Sequence, residues 1–197
     1  MPESQTRSPF SQILSKWIMR LIGWRILGEQ PAFRRYVLIG APHTSNWDFI
    51  IAMLMKYSLQ MRFHFIGKDS LFRGPMGTIM RRLGGIPVRR ESRSNFVAQI
   101  VAEFEQREDL IIVISPEGTR SKSPYWKTGF YYIALGAKVP VVMAYLDYKI
   151  KVIGFGPSFV PTGDIQADFA HIRELYADKS GKYPDKQGAI ELRPSSA

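Results

Sequence analysis

Leu110-Ile-Ile-Val-Ile114 is a run of five apolar residues, four of them β-branched, set between Asp109 and Ser115. A run this short, apolar at every position and rich in β-branching, reads as a strand buried on both faces. Strands of that kind belong to parallel sheets covered by helices, so Leu110–Ile114 constrains the fold more than any other segment. Tyr36-Val-Leu-Ile-Gly-Ala41 has the same character, and Arg62–Ile66, Ile86–Val88, Val139–Ala144 and Lys149–Phe155 read as further extended pieces.

Helical patterns fall between them. Asn46–Leu59 is one. Pro75 suits a first helical turn, in a helix stopping near Leu83 with Gly84 after it. Ser94 can cap a helix that turns Phe96, Val97, Ile100, Val101 and Phe104 inward, and Ser123-Pro124 reads as a cap and first turn of a helix running to Gly136. Ile165–Ala177 is the last helix. Strands alternating with helices predict an α/β fold with a largely parallel central sheet flanked by helices. With 197 residues and 45% hydrophobic content the chain suits a single core. The organisation expected is an N-terminal segment and linker over 1–35, a catalytic-sized domain over 36–178, and a polar tail over 179–197. The tail carries no periodicity and is expected to be poorly ordered.

Phe10, Ile13, Leu14, Trp17, Ile18, Leu21 and Ile22 recur at helical spacing within Phe10–Leu27, with Lys16, Arg20 and Arg25 mostly off the stripe. Two readings follow. A basic helix bearing tryptophans can lie in a bilayer interface, with its cations at anionic headgroups; alternatively, the stripe docks on the domain's own core. No stretch reaches the roughly 20 apolar residues of a membrane span, and the charges interrupt any signal-peptide core. The sequence has no cysteine, which excludes disulfides, thiolate metal sites and a thiol nucleophile. Its 27 Lys and Arg against 17 Asp and Glu give a formal charge of +10, which favours anionic partners without choosing among them.

Three loops at strand ends collect residues able to do chemistry, and such loops are where sites form in open α/β sheets. The first is Pro42-His43-Thr44-Ser45-Asn46-Trp47-Asp48. His43 can serve as a general base, and Asp48 can accept from one ring nitrogen and leave the other free to take a proton from an alcohol. Ser45-x-x-Asp48 also has the form of a capping box, in which Asp48 merely satisfies a backbone amide. The second loop region, Gly67-Lys68 to Arg90, gathers Lys68, Arg73, Arg81, Arg82, Arg89 and Arg90 around glycines, a composition suited to phosphate. The third, Ser115-Pro-Glu117-Gly118-Thr119-Arg120-Ser121, follows the best strand, and a turn held by a Glu–Arg pair is its plainer reading. No serine sits in a nucleophile elbow.

In order, these loops resemble the glycerophospholipid acyltransferase family, which includes the 1-acylglycerol-3-phosphate acyltransferases. His43-Thr-Ser-Asn-Trp-Asp48 matches the family's H-x-x-x-x-D motif, and Gly84-Gly-Ile-Pro-Val-Arg-Arg90 resembles its second block. Glu117-Gly-Thr-Arg120 matches the third, and Val139-Pro-Val-Val142 the fourth. Pro87 stands where an aromatic often follows the glycines, and Met143 where the fourth block often ends in proline.

The resemblance implies an acyltransferase without an acyl-enzyme, in which His43 deprotonates the acceptor hydroxyl and Asp48 orients it. Arg90 would hold the acceptor phosphate with Lys68 as helper, while Glu117, Gly118, Thr119 and Arg120 would shape the acceptor pocket. No bound cofactor or metal is implied; the donor is a thioester of coenzyme A or of acyl carrier protein. The acceptor would be a lysophospholipid or glycerol phosphate, foremost 1-acylglycerol-3-phosphate yielding phosphatidate in phospholipid biosynthesis, or another lysolipid such as an aminolipid precursor. The family's habit of binding membrane surfaces favours a peripheral protein on anionic lipid at the cytoplasmic face. A basic nucleic-acid-binding protein, or a non-catalytic lipid binder, is the competing class. The charge would suit a nucleic-acid partner, but no signature of a nucleic-acid fold accompanies it and none is expected.

Overall fold

The computed structural model describes residues 8–88 and 93–194. Seven strands form one sheet in the order β1-β7-β6-β2-β5-β3-β4, comprising β1 (Arg25–Leu27), β2 (Arg35–Ala41), β3 (Phe63–Lys68), β4 (Gly85–Val88), β5 (Leu110–Ile114), β6 (Val141–Asp147) and β7 (Val152–Phe159). Every pairing is parallel except β6 with β7, which are joined by a tight connection at Tyr148–Lys151. The fold is therefore the α/β sheet expected. β2 lies between β5 and β6, and the two all-apolar runs sit side by side with Tyr36 opposite Ile111 and Leu38 opposite Val113.

Helices cover both faces. α1 (Pro9–Leu21) and α2 (Trp47–Ser58) pack on one side, where Met19, Ile51 and Met55 meet Tyr36, Leu38, Val142 and Ile153. α4 (Arg93–Gln106), α5 (Gly129–Ala137) and α6 (Ile165–Tyr176) cover the other, where Ile100, Phe104, Phe130, Ile133 and Phe169 meet Val37, Ile39, Ile112 and Met143. Because the strands are buried from both sides, alternate residues of each run feed the two cores, which is why no polar alternation interrupts them.

α3 (Gly74–Arg82) stops where Gly84 adopts φ +94°. A Cβ at Gly84 would lie 2.8 Å from Lys56 Nζ and 2.9 Å from the Phe63 carbonyl. The buried Lys56 ammonium donates to the carbonyls of Phe63 and Leu83, each at 2.6 Å, and so ties α2 to β3 and to the end of α3. Only glycine leaves room for that cation.

Four readings of the sequence need correction. The N-terminal helix ends at Leu21 rather than Leu27, because Gly23 turns at φ +77° and Arg25–Leu27 joins the sheet beside Val152–Gly154. Ser94 lies inside the first turn of α4, not before it. No helix opens at Ser123: the main-chain N–H of Trp126 is drawn to Glu191 O and that of Lys127 to Pro116 O, while the Trp126 ring is buried against Phe169 and Tyr176. Those ties keep the segment out of a helix until α5 begins at Gly129.

The fourth correction is the tail. Residues 180–194 form a strap over the C-terminal edge of the sheet. The Tyr148 N–H donates to Ser180 O, the Tyr183 N–H to Thr44 Oγ1, and Leu192 is buried beside Trp126. Hydrogen bonds from main chain to other segments order it, and these leave no periodic signature.

The apolar stripe of α1 points away from the protein. Phe10 is 70% exposed, Ile13 67%, Trp17 59% and Leu21 68%, while the helix packs through Ser15 and Met19. The stripe is therefore not what docks on the core. No helix among the described residues is long and apolar enough to cross a membrane.

Candidate active site

β2 and β5 run parallel and adjacent, so the loops that leave them emerge at the same edge of the sheet. The first carries His43 and the second Glu117. In the first, α2 begins at Trp47 and places Asp48 in its opening turn, where a negative charge is favoured by the helix dipole.

Asp48 organises the loop. Its Oδ2 accepts from the amides of Thr44 and Ser45, both at 2.9 Å, and lies 3.0 Å from His43 Nδ1. Its Oδ1 accepts from the Tyr148 hydroxyl at 2.6 Å. One oxygen of Asp48 thus serves the amides at the helix start and the histidine together. Burial opposes the charge of this carboxyl, but the bonds from His43, Tyr148 and the Ser45 amide outweigh it and hold its pKa below the ordinary value. An ionised carboxylate only accepts, so His43 Nδ1 carries the proton and the lone pair of the neutral ring resides on Nε2. The His43 side chain is 24% exposed, which leaves that nitrogen within reach of a substrate.

Glu117 is buried behind this pair. Its Oε1 accepts the main-chain N–H of His43 at 2.7 Å and its Oε2 the Ser115 hydroxyl at 2.8 Å. Burial raises its pKa, against the bonds it accepts. Both oxygens are engaged by the protein, so Glu117 ties the two loops together. Gly118, at φ +64°, turns the chain outward beneath the Lys127 side chain, and Thr119 and Arg120 are exposed at the mouth. Thr119 Oγ1 accepts the Ser121 amide at 3.2 Å. The expected Glu117–Arg120 turn pair does not form.

Lys68 ends β3 and is exposed at the same edge. Arg73 pairs with Asp69, and Arg81 lies over the Phe72 ring while donating to Phe72 O, so both are engaged locally. Arg89 and Arg90 lie outside the described residues. Among the described residues no group of His, Asp and Glu is arranged to hold a metal.

Sequence reasoning missed Tyr148 and the strap. Tyr148 follows β6, and its ring meets the buried Trp24 edge-on at 4.8 Å. Trp47, exposed beside His43, carries the Lys182 ammonium over its ring at 4.9 Å. Neither tyrosine nor strap belongs to a recognisable motif, and only the topology brings them to the site.

A largely parallel α/β sheet thus brings a His–Asp pair and a buried glutamate together where the loops after β2 and β5 meet. The acyltransferase family model matches residues 12–146, more than half of the 197, and the chain belongs to that family. Among solved structures it is similar to the 1-acyl-sn-glycerophosphate (LPA) acyltransferase PlsC of Thermotoga maritima, with a TM-score of 0.59. That match covers 87% of this chain and 80% of the other at 16% identity, so the likeness is one of fold. No curated protein sequence gave a significant match.

Proposed function

We propose that this acyltransferase moves a fatty acyl group from a thioester, of coenzyme A or acyl carrier protein, to the free hydroxyl of 1-acylglycerol-3-phosphate, yielding phosphatidate. One observation carries the reading: Asp48 fixes the proton of His43 on Nδ1 and leaves Nε2 as the basic atom at the mouth. Nε2 takes the hydroxyl proton as the alkoxide oxygen bonds to the thioester carbonyl. Collapse of the tetrahedral adduct breaks the carbon–sulfur bond, and the imidazolium returns the proton to the departing thiolate. Asp48 stabilises the imidazolium meanwhile. Arg90 and Lys68 hold the acceptor phosphate, and Thr119 and Arg120 border it.

The protein acts at a membrane surface. Support comes from the outward stripe of Phe10, Ile13, Trp17 and Leu21 and from the net charge of +10, which suits anionic lipid at the cytoplasmic face.

The test is a mass-spectrometric transfer assay with palmitoyl-CoA and palmitoyl-acyl carrier protein against lysophosphatidate, glycerol phosphate and other lysophospholipids. A diacyl product from lysophosphatidate, absent with His43→Ala, is the expected result. Transfer to a different lysolipid alone would replace the acceptor, and full activity in His43→Ala would remove His43 as the base.

A further inference from the structure

The two oxygens of Asp48 are served by different parts of the chain. Oδ2 is crowded by His43 Nδ1 and two amides of its own loop, whereas Oδ1 is met by Tyr148 at the end of the neighbouring strand, 100 residues later. The bond is short, at 2.6 Å, and its donor is held at three points. The Tyr148 ring lies against Trp24, its N–H donates to Ser180 O, and its hydroxyl ends on the carboxylate. A tyrosine serving only to pin the β6–β7 connection has no need to spend its hydroxyl on the group that orients His43.

We propose that Tyr148 is a positioning residue for acyl transfer, aiming the Asp48 carboxylate at His43 Nδ1 and withdrawing part of its charge. The inference rests on His43 as the base. A carboxylate that already accepts a strong bond is a weaker proton acceptor, so the Nδ1 proton stays on the ring and Nε2 keeps the lone pair that takes the acceptor's proton. The phenol itself stays protonated, because burial and the facing carboxylate both push its pKa up. The other ionisable groups facing this cluster are Glu117, against the His43 main chain, and Tyr183 of the strap.

Tyr148→Phe keeps the ring on Trp24 and the main-chain bond, and removes the hydroxyl alone. The prediction is a fall of about tenfold or more in kcat with KM for palmitoyl-CoA and lysophosphatidate unchanged. The ring-nitrogen NMR spectrum of His43, independent of turnover, should show a smaller share of the Nδ1-protonated tautomer. Thermal unfolding of the variant establishes that it folds. An unchanged His43 tautomer share, or wild-type kcat while His43→Ala is inactive, would overturn the role of Tyr148 alone. Retained activity in His43→Ala would overturn this inference together with the base on which it rests.

Discussion

The main-chain N–H of His43 donates to Glu117 Oε1 at 2.7 Å, across 74 residues of sequence, so the loops after β2 and β5 share one buried carboxylate. His43 is thereby held at both ends, its side chain by Asp48 and its backbone by Glu117. The third block of the family pattern serves the first before any substrate arrives.

Glu117→Ala should therefore cost both stability and activity. It strips partners from the His43 amide and the Ser115 hydroxyl, and each buried donor left unmet costs about 1–3 kcal/mol. Urea unfolding at neutral pH measures the loss.

Glu117→Gln separates charge from shape. The Glu117 carboxyl has its folded pKa raised above the ordinary 4.5 by burial. Its contribution to stability is thus complete below 4.5 and declines as pH rises through the raised value. The amide cannot ionise. Unfolding measured across the range should show the glutamine variant gaining on the wild type as pH climbs above 4.5, and a constant difference would contradict that.

Asp48→Asn should reverse the sign. The folded pKa of Asp48 lies below the ordinary 3.8, so its contribution is present above 3.8 and is lost as pH falls through the lowered value. The stability difference between wild type and variant should shrink on acidification below 3.8. Because an amide can donate to Nδ1 and so favour the wrong tautomer, kcat should also drop on the order of 10³-fold or more.

Gly181→Ala tests the strap. A Cβ there would sit 2.7 Å from Thr44 Oγ1 and 2.8 Å from Thr44 Cγ2. Thr44 is short and its hydroxyl already accepts from Tyr183, so either the strap or the His43 loop must shift. Reduced kcat with little change in unfolding midpoint is expected, and wild-type kcat would show that the strap accommodates a methyl.

The two faces of α1 should respond differently. Trp17→Ser and Leu21→Ser, on the exposed stripe, should weaken flotation with anionic liposomes and leave the unfolding midpoint unchanged. Met19→Ala, on the packed face, should cost about 2–5 kcal/mol and leave liposome binding intact in the folded protein.

The sheet was legible because β2 and β5 are apolar at nearly every position, a pattern that few structures other than a doubly covered parallel strand produce. His43 and Asp48 were legible because the residues that interact lie within one loop. Tyr148 was not, since its partner arrives through the pairing of β6 with β2, and a tyrosine after an apolar run carries no local mark. The strap was invisible for a related reason: Ser180, Tyr183 and Glu191 act largely through their main chain, to which side-chain identity gives no clue. Trp126 misled in the opposite direction, because Ser123-Pro124 is a good helix start by local rules and bonds from the Trp126 and Lys127 amides to the Glu191 and Pro116 carbonyls override it.

The bond between Tyr183 and Thr44 spans 139 residues, and that between Tyr148 and Asp48 spans 100. Closing loops of that length is slow compared with forming a helix or a neighbouring strand pair. On the ribosome the His43 loop is made early, yet its last tether, from Tyr183, arrives only when the segment beyond Tyr176 has emerged. Catalytic competence is thus among the last properties this chain acquires, and a nascent chain lacking the strap can carry the whole sheet while its active site is still unset.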